Sequence, residues 1–142
     1  MATSARIGYG AALSKQTAPG PPAVFTAIAE LLSFDPPGPS VDTVDATHMA
    51  SPDAYREFIP ALIDAGEASA ELNFTKTQYG TFQTDVDARA VVTYKASLPD
   101  GSTLLFSGIP TGVQIGSVEV DGKITATATW KVSGKPVFTA GV

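Results

Sequence analysis

Residues 124–133 read ITATATWKVS, and their alternation decides the fold class. Ile124, Ala126, Ala128, Trp130 and Val132 fall on one side of an extended chain, and Thr125, Thr127, Thr129, Lys131 and Ser133 on the other. A period of two with β-branched residues on the polar side marks a strand buried on one face. The pattern recurs in ASAELNFTK, where Ala68, Ala70, Leu72 and Phe74 oppose Ser69, Glu71, Asn73 and Thr75. It recurs again in RAVVTYKASL, where Ala90, Val92, Tyr94, Ala96 and Leu98 form the apolar row.

Between these runs lie turn residues. PDGS at 99–102 leads into TLLFSGI, which is apolar on both faces and predicts a central strand. Asp121-Gly122 predicts a two-residue hairpin turn before Ile124. The apolar parity switches between Val113/Ile115 and Val118/Val120, which predicts a bulge or strand break at Gly116-Ser117. Towards the N-terminus, residues 6–14 predict a strand with Ile7, Tyr9, Ala11 and Leu13 inward. TAPGPPA at 17–23 predicts a rigid turn, and VFTAIAELLSF at 24–34 one further strand. Helix signals are few. Ser51-Pro52 is a good start, which DAYREF extends for about two turns until Pro60. Residues 78–88 hold a second, weak candidate with Phe82 and Val86 one turn apart. About seven strands and one or two short helices define a mainly β chain, a sandwich or barrel.

Composition narrows the function. A 142-residue chain with 44% hydrophobic and 16% charged residues builds one globular domain, 1–142, with no composition break for a second. The absence of cysteine removes disulfides, thiolate metal sites and a cysteine nucleophile. There is no apolar run of signal-peptide or membrane-spanning length, so the expectation is a soluble chain made inside the cell. A net charge of −5 with scattered lysines and arginines opposes phosphate-backbone binding.

The one histidine, His48, lies among acids in VDTVDATHMASPDAYREF. On the strand predicted here Asp45 points away from Asp42 and His48, so the trio does not converge on a metal. No G-x-S-x-G turn presents a serine to His48, and GYGAALSK lacks phosphate-loop spacing. Asn73-Phe74-Thr75 matches a glycosylation sequon in mid-strand and reads as coincidence. A long connection of polar, aromatic and apolar residues without a catalytic constellation suits protein contact.

That same stretch carries a resemblance. VDATHMASPDAYREFIPALIDAGEASAELNF is similar to the lambda-like major tail protein family, the tail tube proteins of long non-contractile phage tails. Weaker agreement extends to the GYGAALS opening, FTAIAE and the late FSG strand. The resemblance implies a β-sandwich or half-barrel of seven to eight strands with one flanking short helix and no separate C-terminal Ig-like domain. It implies six-membered rings whose inner strands form a continuous barrel, stacked into a virion tail assembled in the host cytoplasm. DNA then passes through the lumen without specific binding. It implies partners in further copies of the chain, a tape measure protein, a tail terminator and baseplate or initiator proteins. It implies no catalysis, cofactor, metal or membrane. Contact between subunits and rings falls to the long loop, with Asp45, His48, Tyr55, Arg56 and Phe58 as its candidates. The alternative function is a non-catalytic Ig-like or carbohydrate-binding module of a virion or cell surface; separately, the competing reading of Tyr55 and Phe58 has them closing one end of the sandwich.

Overall fold

The computed structural model describes residues 5, 7–18 and 23–141. Ten strands and one helix follow in order: β1 (Ala12–Ala18), β2 (Val24–Ala27), β3 (Leu31–Asp35), β4 (Ser40–Asp45), β5 (Phe58–Asp64), β6 (Glu67–Asn73), α1 (Lys76–Ala88), β7 (Val92–Ser97), β8 (Thr103–Ile115), β9 (Thr125–Val132) and β10 (Val137–Thr139). Eight strands form one antiparallel sheet in the order β2-β1-β7-β8-β9-β6-β3, with β10 also on β8; β4 and β5 pair only with each other.

The large sheet folds over on itself about β8. The first half of β8 pairs with β7 from Thr103 to Gly108, and its second half pairs with β9 from Gly108 to Ile115. Gly108 is the residue common to both ladders, and a Cβ there would stand 3.1 Å from Trp130 Cβ. A bulge between Pro110 and Gly112 follows, accommodating a proline that has no N–H for the ladder. The result is a half-barrel of two leaves: β2-β1-β7 with the start of β8, facing β9-β6-β3 with its end.

The alternating apolar rows meet between the leaves. Leu13, Leu72, Tyr94, Ala96, Phe106, Ala128, Trp130 and Val132 are all buried. An aromatic chain crosses the core: Phe34 on Phe106, Phe106 on Tyr94, Tyr94 on Trp130, and Trp130 on Phe82 of α1, with centroids 4.8–6.1 Å apart. Trp130 Nε1 donates to the Tyr94 hydroxyl at 2.9 Å, so the one polar pair inside this stack is satisfied. Burial drives the Tyr94 phenol's pKa up, and the nearby Asp85 charge adds to the shift.

α1 begins two residues before the weak pattern at 78. Thr75 caps it by accepting from Gln78 N–H, and Arg89 closes it in the left-handed conformation. Poor helix formers are offset by two anchors: Phe82 against Trp130, and Asp85 gripped by Lys15 Nζ of β1 at 2.6 and 2.7 Å.

Three expectations change. Of the strand expected at 6–14, the described residues are extended only from Ala12: Gly8–Gly10 turn the chain, leaving Ile7 and Tyr9 exposed and only Leu13 inward. The turn expected at 17–23 lies partly outside the described residues. The single strand expected at 24–34 is broken at Glu30, which takes φ 54°, because β2 joins one leaf and β3 the other. Asp121-Gly122 makes no tight hairpin either; β8 stops at Ile115, where the parity slip places a break, and residues 116–124 form an open loop.

Candidate functional site

β4 and β5 form an arm. The chain leaves β3 through PPGP and re-enters β6 through Ala65-Gly66, so one long ribbon is hinged between its body half and its free half. Every residue of both free strands is exposed. The hinge itself is tight: a Cβ on Gly66 (φ +86°) would lie 2.8 Å from the Gly38 carbonyl oxygen. Gly66 N–H donates to Asp64 Oδ1 at 2.8 Å, its carbonyl accepts from Val132 N–H, and Lys131 Nζ pairs with the Asp64 carboxylate at 2.9 Å. The Gly66 N–H, helped by Lys131, holds the Asp64 pKa below the ordinary carboxylate value.

The arm carries apolar residues on both faces. Cross-strand partners share a face, so Val41 with Ile63 and Thr43 with Pro60 project one way, and Val44 with Ile59 the other. Leu62 is 85% exposed and Met49, at the tip, fully so. Pro60, expected to stop an element, sits inside β5 beyond the register shift at Val41/Thr43, where a two-stranded ribbon tolerates it.

The tip, residues 46–57, is braced internally. Asp45 Oδ1 accepts from Thr47 N–H, and the Thr47 hydroxyl, with that backbone bond, holds the Asp45 pKa low. Thr47 Oγ1 accepts from Glu57 N–H at 2.8 Å. Ser51 donates its hydroxyl to Glu57 Oε2 at 2.6 Å, and His48 Nε2 lies 3.3 Å from the same oxygen. His48 Nδ1 accepts from Ala50 N–H, which places the neutral ring's proton on Nε2, towards Glu57. The hydroxyl and imidazole that a hydrolase would join to each other are both engaged by Glu57.

The helix expected from Ser51 does not form beyond one 3-10 turn at Pro52–Ala54, because Asp53 and Ala54 take positive φ and Tyr55 is extended. No core lies beneath the tip for a helix to bury a face against. Asp45, His48, Tyr55, Arg56 and Phe58 thus all lie on the arm, His48 inside the tip network, Tyr55 and Phe58 exposed. Sequence reading missed Glu57, the hub of the tip, and the whole of β5; the apolar run FIPALI was its available signal. Among the described residues no three His, Cys, Asp or Glu side chains group to hold a metal, and no helix is long and apolar enough to cross a membrane.

A second surface is the outer face of the β8-β9-β6-β3 leaf. Glu67, Ser69 and Glu71 of β6 register with Lys131, Thr129 and Thr127 of β9, and Asp35 and Ser33 of β3 lie beside Ser69 and Glu71. Lys131 lies on this face and is paired with Asp64. Two backbone edges bound it: β3 pairs only with β6, and β8 from Ile109 onward pairs only with β9.

The sequence matches the family described as lambda phage tail tube protein over residues 8–139. No curated protein matches it. In structure the chain is similar to one in the tail of an empty gene transfer agent particle refined with C6 symmetry, with TM-score 0.73 and 20% identity over 96% of this chain and all of that one. It is similar to a chain in the structure of an extracellular contractile injection system's PVC sheath/tube terminator in the extended state, with TM-score 0.72 and 12% identity over 99% of this chain and 100% of that one. A third likeness is to the SPP1 tail tube, with TM-score 0.66 and 8% identity over 96% and 80%. At these identities the likeness is one of fold.

Proposed function

The chain belongs to the lambda phage tail tube protein family, and on that premise we propose how this structural subunit of a virion tail builds a tube. Copies close into six-membered rings, the rings stack, and DNA travels down the lumen. The arm carries this reading. A two-stranded ribbon is marginal in water by itself, and contiguous exposed apolar surface is a contact signal. Val41, Val44, Ile59, Leu62 and Ile63 therefore gain most when another copy covers them. Tyr55 and Arg56 are the anchor residue types at the tip, Phe58 continues the apolar face, and Asp45 and His48 fix the loop that presents them.

Ring closure uses the two open edges. The unpaired side of β3 in one copy meets the end of β8 in the next, which removes both edges as barrel closure does. The acidic, threonine-rich leaf between them then lines the lumen. Six copies at −5 each carry about −30, and like charge keeps DNA from adhering during passage. The subunit is non-catalytic on this reading, since its one imidazole and the nearby serine brace the arm. The partners are of the kinds named in similar assemblies, a terminator or cap and a baseplate.

Negative-stain electron microscopy of the purified chain, at rising concentration and beside its tail partners, tests the reading. Rings or hollow tubes are expected. A strictly monomeric β protein under all those conditions overturns it.

A further inference from the structure

We propose, resting on the tube reading, that the loop 116–124 of one copy docks into a groove at the arm root of the copy stacked against it. The groove has a volume of about 920 Å3. Leu62 and Ile63 of the arm, Leu104 of β8, Val132 of β9 and Phe138 of β10 make its walls apolar, and Lys135 stands among them. Segments distant in sequence build it, and no described part of the same chain fills it.

The loop is its counterpart. Val118 is 72% exposed and Val120 fully so, on a connection with no regular structure of its own. It leaves the sheet at the opposite end from the groove. β6 begins at Glu67, beside Lys131 and the arm root, and ends at Asn73, beside Thr125 and the loop. Six residue steps separate the two ends by about 20 Å. An apolar knob and an apolar hollow at opposite ends of one molecule cannot satisfy each other within it. Between copies they make a head-to-tail contact, which propagates as an open filament. Charge is mixed on both sides: the loop holds Glu119, Asp121 and Lys123, and the groove Asp42, Asp64 and Lys135; Asp64 is taken by Lys131, while Lys135 has no ion pair among the described residues and is left for Glu119 or Asp121. The contact fixes which end of each ring meets the next, so every ring adds with the same polarity.

The chain has no cysteine, so introduced thiols report unambiguously. Val120→Cys combined with Phe138→Cys, and separately with Leu62→Cys, probes two walls of the groove at exposed positions. Oxidised tubes are expected to give a ladder of disulfide-linked multimers on a non-reducing gel, and either single variant none. Tubes without a ladder from either pair overturn the docking and leave the tube reading standing; a chain that neither polymerises nor cross-links overturns both. The double variant Val118→Asp/Val120→Asp is expected to keep its monomer unfolding temperature while the concentration needed for polymerisation rises at least about tenfold. Unchanged polymerisation would count against the docking.

Discussion

Replacing Gly66 by alanine tests the hinge that sets the arm against the body. Two costs add. At φ +86° an L-residue sits in the left-handed region, at about 1–2 kcal/mol. The new Cβ would also stand 2.8 Å from the Gly38 carbonyl, a backbone atom held between Pro37 and Pro39 and unable to swing away as a side chain would. Overpacking of this kind costs about 1–3 kcal/mol, so the expected loss is about 2–5 kcal/mol. Gly66 also accepts from Val132 N–H of β9, so displacement reaches the core sheet rather than ending in the arm. Urea unfolding followed by fluorescence of Trp130, the single and buried tryptophan, reads this directly. With a slope of about 2 kcal/mol/M the midpoint falls by about 1–2.5 M. The same substitution at Gly80, on the exposed side of α1 with nothing within 4 Å, is the control. There alanine favours the helix, and the midpoint rises by a few tenths of a molar, for about 0.5–1 kcal/mol. If Gly66→Ala unfolds at the parent's midpoint, the tight hinge is wrong.

Further outcomes follow from the core and the tip. Trp130→Phe leaves the Tyr94 hydroxyl without its buried donor and is expected to cost about 1–3 kcal/mol, read by circular dichroism in urea because the substitution removes the one tryptophan. Lys15→Met strands the Asp85 carboxylate, only 12% exposed, at about 3 kcal/mol, and Lys15→Met/Asp85→Leu recovers most of it; equal losses would place the effect in packing rather than charge. Because the folded pKa of Tyr94 is raised, its contribution is constant below the unfolded phenol's pKa of about 10 and declines as pH climbs above it. Thermal unfolding from pH 8 to 11.5 shows that decline, which Tyr94→Phe flattens. Arg56→Ala, on the exposed tip, is expected to leave the unfolding temperature unchanged and to reduce tube yield; undisturbed tubes remove Arg56 from the contact.

Strand parity was readable from the residues alone. Ala68, Ala70, Leu72, Tyr94, Ala96, Ala128, Trp130 and Val132 all turned inward as their spacing demanded, and β8 ended where the parity slipped. Alternation is a property of one extended segment, so it survives without knowledge of its neighbours. The β5 half of the arm was not readable, although β4 was. Its residues are apolar on both faces and interrupted by Pro60, which mimics an irregular loop, and only pairing with Val41–Asp45 makes them a strand. The tip looked like a helix start because Ser51-Pro52 is a sound one; with no body beneath it, bonds to Glu57 settled the backbone instead. Which leaf each strand joins, the crossing at Gly108, the open edges and the groove were decided by tertiary structure. Each depends on segments far apart in sequence coming within contact range, and a local period of two carries no record of which partner lies on either side.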